Sequence, residues 1–385
     1  MIAHARSAIA TKSGSPAPET GSHRTASSAL MPLAEAVRSL MERVAPVAPE
    51  AVPLGEVVGG ICADDCHAPR AMPDVPIALR DGWVVRGADV VGASPYAPIP
   101  AQRKPPWIEA GDRLPEGADT ILPPEAIEGA SIVADAPVGE GVRAAGAEAA
   151  SGALLVATGQ RITPLHRLAV QAAGIGSLPL RRPRLTLIVA GAQERETLSS
   201  LLADLIVEAG ATVAEIAAAR SPEALADVLR MQDGDAVLVI GGTGFGRDDH
   251  AAAGLSLAGT LKAHGIALKP GETTGFGEVG GRAVLLLPGR PDAALSAFLT
   301  LGRALIATLS GAVPVAGISA PLLRKVVSTI GLSEVVYARR MPDGLLPLGS
   351  SDLALTSLIQ ADAAILVGPD SEGSPAGSIV SGLPL

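Results

Sequence analysis

From Arg184 to about Leu309 the sequence alternates continuous apolar runs with helical periodicity, and this alternation constrains the fold more than any other feature. RLTLIVAG reads as a strand buried on both faces, because a half-exposed strand would alternate apolar with polar residues. A helix is predicted from about Glu196 to Glu208, ending at Gly210. A strand near Thr212 to Ile216 follows, then a helix opened by the Ser221-Pro222 cap signal, then a strand from Ala236 to Ile240. Strands alternating with helices imply right-handed crossovers and a mostly parallel sheet, so residues 181–313 are predicted to form an α/β domain. The most apolar region, around Ala293 to Leu309, carries Arg303 and is preceded by Arg290 and Asp292. It is read as a buried helix rather than a membrane span.

At 385 residues the chain is too long for a single core. Residues 1–28 are rich in Ser, Ala, Thr, Pro and Gly without apolar periodicity and are predicted to be a mobile tail. Their first part, MIAHARSAIATKSG, lacks the long apolar core of a signal peptide, so a cytoplasmic location is expected. The run PLAEAVRSLMERVAP then places Leu33, Ala36, Val37, Leu40 and Val44 at helical spacing and stops at Pro46. Between Val52 and Leu180 the pattern changes to short apolar runs, such as Trp83 to Val85, Thr120 to Leu122 and Leu154 to Ala157, separated by Gly and Pro. This is a β-rich region. The predicted division is a tail (1–28), a discontinuous linker unit (29–55 and 141–180), a β-rich domain (56–140), the α/β domain (181–313) and a C-terminal β domain (314–385). In the last, GSSDLALTSLIQADAAILV reads as short strands with turns.

Composition excludes some functions. A net charge of -9 repels phosphate backbones, and 2% aromatic residues leave few rings for base stacking, so no nucleic-acid partner is expected. Cys62 and Cys66 have no second pair and build neither a disulfide framework nor a complete zinc site. With Asp64, Asp65 and His67 they suggest a metal cluster, but two thiols favour an incidental surface segment.

The clearest local feature is Gly241-Gly242-Thr243-Gly244-Phe245-Gly246-Arg247-Asp248-Asp249-His250, directly after a buried strand. Clustered glycines at the carboxyl end of a strand let backbone N–H groups approach an anion, so a phosphate or pterin cradle is one reading and a tight strand-to-helix turn the other. Arg247 stands where a G-x-G-x-x-G fingerprint needs its last glycine, and no Gly-Lys pair supports a P-loop. Lys269 lies between an apolar run and Pro270-Gly271, either as a point charge facing an anion or as a solvated turn lysine. Asp81, in Arg80-Asp81-Gly82-Trp83, is a hard oxygen ligand suited to Mg²⁺ or simply part of an Asp-Gly turn.

Taken in order, these segments resemble the molybdopterin molybdenumtransferase family, the MoeA-type molybdenum insertases related to the E domain of gephyrin. RDGWVVR is similar to the family's M-D-G-Y-A signature, IEAGDRLPEGADTILPPEAIE to its T-G-A-containing stretch, and GVRAAGAE to N-I/V-R-x-x-G-E-D. GGTGFGRDDH is similar to S-G-G-V/A-S-x-G-x-x-D-Y/F, KPGETTGFG to K-P-G-K-P-x-x-F-G, and LLPGRPDAALSAF to G-L-P-G-N-P followed by a helix. With the helix PLAEAVRSLMERV, the resemblance covers nearly everything from Met31 to the C-terminus.

The resemblance implies a multidomain α/β and β-rich fold. Its parts are an α/β domain similar to molybdopterin adenylyltransferase (MogA/MoaB-like), a β-rich second domain and a C-terminal β domain. It implies an elongated homodimer, joined through the linker unit, whose cleft is composed of both subunits. The implied reaction takes adenylylated molybdopterin and molybdate, uses Mg²⁺, releases AMP and leaves molybdenum on the pterin dithiolene. A transient contact with molybdopterin adenylyltransferase is implied, and no membrane. By the same resemblance Asp81, Arg143, Asp249 and Lys269 are the catalytic candidates. Gly241, Gly242, Thr243, Gly246, Pro288 and Gly289 bind the pterin and its phosphate, and Asp81, Glu148 and Asp249 are the metal ligands. Several family positions differ: Thr-Gly-Ala is Ala110-Gly111-Asp112, Gly-Asp-Glu is Gly191-Ala192-Gln193, Gly-Glu-Asp is Gly146-Ala147-Glu148, and the second lysine of K-P-G-K is Glu272. These differences raise a second reading, a non-catalytic molybdopterin-binding paralogue acting as carrier or regulator. A third, an adenylyltransferase, is opposed by the extra β-rich domains.

Overall fold

The computed structural model of the chain describes residues 30–190, 196–246, 249–314 and 317–385. The predicted tail lies outside them, as do Gly191 to Glu194 and Arg247-Asp248.

The α/β domain is a six-stranded sheet in the order Thr212–Ala219, Arg184–Ala190, Ala236–Ile240, Arg282–Leu287, Gly275–Val279 and Thr260–His264. The first four are parallel, and the last two add antiparallel. Alternate residues of the central strands enter two different cores. Leu185, Leu187, Leu238, Leu285 and Leu287 face the helices Glu196–Glu208 and Pro291–Ala297, whereas Ile188, Val237, Val239 and Leu286 face Pro222–Met231 and Ala251–Ala258. Burial on both faces is why these strands are continuously apolar in sequence. Ser221 caps its helix as predicted, its hydroxyl accepting the Ala224 N–H at 3.1 Å. The strand predicted to end at Ile216 continues to Ala219, because its partner Arg184–Ala190 offers pairing groups along that whole length.

The predicted buried helix is a 20-residue helical stretch, Pro291–Ser310, interrupted by a wide turn at Phe298–Gly302. It is long and apolar enough to cross a membrane, but most of it is buried inside the protein. The first helix spans Leu33–Met41 and buries Leu33, Ala36 and Leu40. Val44 lies beyond its end and packs on the same core from a turn.

Residues 50–67 and 154–181 pair with one another through Glu50–Pro53, Ile61–Cys62 and Cys66–His67. Their shared core contains Val57, Cys62, Cys66, Ile162, Val170 and Leu180. The segment is thus only partly at the surface: Asp64, Asp65 and His67 are exposed, but both thiols are free and buried, and burial pushes both pKa values up. Residues 77–143 contribute small sheets around Gly82–Val85. The C-terminal segment forms a seven-stranded sheet built on Ser333–Met341 that also takes in Met31–Pro32 and Ile266–Lys269, so it is fused to the α/β domain. Inside it, Leu355–Leu358 is a helical turn where short strands were expected, and Ala363–Val367 is a strand.

Candidate functional site

Two neighbouring parallel strands, Ala236–Ile240 and Arg282–Leu287, deliver their carboxyl ends side by side. One leads into Gly241-Gly242 and the other into Pro288-Gly289, and the Gly241 N–H donates to the Leu287 carbonyl at 2.8 Å. Gly241 and Gly242 have φ of 80° and 66°, a left-handed turn that side chains disfavour. The turn reverses the chain toward helix Ala251–Ala258, whose Ala251 N–H donates to the Gly242 carbonyl at 2.8 Å.

Beyond these strand ends lies a cleft of about 770 Å³. Gly242, Thr243, Gly244 and Asp249 form one wall, Pro288, Gly289 and Arg290 another, and Gly271, Glu272 and Thr273 a third, with Thr197, Leu198 and Leu355 closing it. Thr243 is buried, its hydroxyl 3.0 Å from that of Thr273, and its carbonyl lies 2.8 Å from His264 Nε2. Asp249 Oδ2 accepts the Gly246 N–H at 2.7 Å, folding the carboxylate into the glycine loop. A Cβ at Gly244 would meet that oxygen at 2.6 Å.

The structure gathers some of the predicted residues and separates others. Gly242, Thr243, Asp249, Pro288 and Gly289 line the cleft; Gly241 and Gly246 support it from the loop backbone without lining it. Lys269 does not line the cleft. Its Nζ lies 3.3 Å from Glu334 Oε1, and Glu334 is buried. Asp81, Arg143 and Glu148 collect elsewhere, around the strand Ile77–Ala78. There Asp81 Oδ1 accepts the Ala110 N–H at 2.8 Å, Arg143 is the register partner of Ile77, and Arg143 is ion-paired with Glu148. Among the described residues no three His, Cys, Asp or Glu side chains converge as a metal site, so Asp81, Glu148 and Asp249 do not form one cluster within the chain.

Arg290 was missed by the sequence reading. It stands where the family pattern L-P-G-N-P has asparagine, and it is the cation among the described residues lining the cleft. Its Nε and Nη2 donate to the two oxygens of Asp292 at 3.2 and 3.0 Å, and its Nη1 to Asp352 at 2.6 Å. The departure from asparagine was visible in the sequence; the pairing of Lys269 with Glu334 was not.

Residues 31–174 match the family described as "MoeA N-terminal region (domain I and II)", and residues 183–308 match "Probable molybdopterin binding domain". The chain is 29% identical over 304 residues to molybdopterin molybdenumtransferase 2 of Mycobacterium tuberculosis, covering 68% of this chain and 75% of that protein. It is 25% identical over 320 residues to the molybdopterin molybdenumtransferase of Haemophilus influenzae, covering 73% and 78%. A molybdopterin biosynthesis MoeA structure from Pyrococcus superposes with a TM-score of 0.71 at 26% identity, covering 92% of this chain and 98% of that one. With both parts matched in order and the fold shared along nearly its whole length, the chain belongs to the MoeA family.

Proposed function

We propose that the protein is a molybdopterin molybdenumtransferase of molybdenum cofactor biosynthesis, inserting molybdate into adenylylated molybdopterin with release of AMP. The observation that carries this reading is the cleft at the carboxyl ends of two parallel strands, walled by a glycine turn and a Pro-Gly loop in a chain of this family. Backbone N–H groups at such a turn suit a phosphate, and the Arg290 guanidinium suits an oxyanion. Fixed donors aimed at developing charge on the phosphoryl oxygens lower the barrier without reorganising during the reaction. The carrier reading is not favoured, because the relatives bear the transferase name.

Mg²⁺ fits the donor set in a limited way. It usually keeps several waters and takes one or two carboxylates plus substrate phosphate oxygens, so a full protein cage is not required. Asp249 at the cleft wall would hold it, and the ion would supply charge neutralisation at the phosphates. Asp81, Arg143 and Glu148 would complete the cleft from the second subunit of a homodimer, since they stand apart from it within one chain.

The test is AMP release from adenylylated molybdopterin on adding molybdate and Mg²⁺ to the purified protein. Release that depends on both additions supports the insertase. Pterin binding without release overturns it in favour of a carrier.

A further inference from the structure

A second cavity, of about 750 Å³, opens where the linker unit, the α/β domain and the C-terminal strand meet, and none of its lining residues belongs to the first cleft. Its charged groups are Arg161, Arg303 and Glu208, and Thr308 adds a hydroxyl already donated to the Ala304 carbonyl at 2.9 Å; Leu299, Val313 and Leu383 contribute apolar wall. Each guanidinium is half-buried and spends one N–H on a backbone carbonyl: Arg161 Nη1 donates to Gly59 and Arg303 Nη1 to Pro384, both at 2.6 Å. Among the described residues neither has a carboxylate oxygen within 4.0 Å. Burial holds both below the ordinary arginine pKa, Glu208 partly opposes this, and each remains a cation at neutral pH.

We propose that this cavity binds a small organic monocarboxylate with an apolar body. Among the side chains lining the cavity, two guanidiniums against one exposed carboxylate leave one positive charge unbalanced. The planar fork of arginine matches a carboxylate's two oxygens, and the volume lies within the usual range for small-molecule sites. The apolar wall selects a ligand with a hydrocarbon or aromatic body over an inorganic anion. The site is independent of the transferase reading, because it shares no residue with the molybdopterin cleft.

The test is calorimetric titration of the full-length protein with 3-phenylpropanoate and, separately, with its uncharged amide. The acid is expected to bind and the amide not to. Arg303→Gln is expected to weaken the acid by about tenfold or more, the scale of one lost charge-assisted hydrogen bond. Since Arg303 also holds the C-terminal strand, Ala307→Phe provides a second variant. It fills the cavity from a helix residue that touches neither carbonyl contact, and it is expected to abolish binding while the circular dichroism spectrum and melting temperature are retained. Equal binding of acid and amide, undiminished binding to a folded Ala307→Phe protein, or no binding at all overturns the proposal. So does sedimentation showing that the cavity variants dissociate a dimer, which would make a second copy of the chain the occupant.

Discussion

Lys269 Nζ lies 3.3 Å from Glu334 Oε1, and the two residues are direct register partners in the parallel pairing of Ile266–Lys269 with Ser333–Met341. The other oxygen of Glu334 accepts from Ser328 Oγ at 2.9 Å. A lysine expected to face substrate is thereby bound into the seam between the α/β domain and the C-terminal sheet.

Removing one partner of a buried pair leaves an uncompensated charge, but Lys269 is 32% exposed, so solvent screens part of the loss. Lys269→Met is therefore expected to cost about 1–2 kcal/mol in urea unfolding, and Glu334→Gln in the same chain to recover part of it. Phosphate affinity at the cleft should be unchanged. Lost affinity with unaltered stability would return Lys269 to the substrate side.

Asp119 gives the second domain an acid-sensitive tie. Its Oδ1 accepts the Gly87 N–H at 2.7 Å and the Thr120 hydroxyl at 2.9 Å, and these two bonds hold its carboxyl below the ordinary value of 3.8. Because the folded form binds its proton less readily than the unfolded chain, the associated stability is present above that ordinary value. It is lost as pH falls through the lower folded value. Asp119→Asn should flatten the acid limb of a pH–stability curve and lower stability at neutral pH. An unchanged acid limb would exclude this contribution.

The α/β core was legible because its chemistry is local: continuous apolar strands, a Ser-Pro cap and glycine-ended helices each carry their own signal. The glycine loop and the Pro-Gly loop were legible for the same reason, as strand-end turns. What was not legible depends on pairings between distant segments. Lys269 meets Glu334 only because strand Ile266–Lys269 leaves its own domain to pair in the C-terminal sheet, and no periodicity near Lys269 announces that. Cys62 and Cys66 look exposed in a Cys-Ala-Asp-Asp-Cys-His run, yet the return of residues 154–181 covers them.

Gly244 tests the geometry of the cleft wall. Its neighbour is the far end of a flexible side chain, so Gly244→Ala should leave the fold intact while pushing the Asp249 carboxylate out of its bond to Gly246. AMP release is expected to fall severalfold with little change in melting temperature. Combining it with Asp249→Ala should cost no more than Asp249→Ala alone, since coupled residues are non-additive. Full additivity would show that Gly244 acts by another route.

Arg290 carries the cation role if the cleft takes an anion, and the surrounding contacts let that role be separated from structure. Arg290→Asn removes the charge and is expected to weaken inorganic phosphate binding by about tenfold, the scale of a charge-assisted hydrogen bond. The same change also frees Asp292, which is buried and among the described residues keeps the N–H groups of Ala293 and Asp352 as partners, so some stability should be lost too. Asp352→Asn provides the control. It removes the carboxylate that Nη1 reaches yet keeps the guanidinium and its bonds to Asp292, so binding should persist. Arg290→Lys keeps the charge without the planar fork and should fall between the two. If Asp352→Asn loses as much affinity as Arg290→Asn, the latch rather than the cation governs the site.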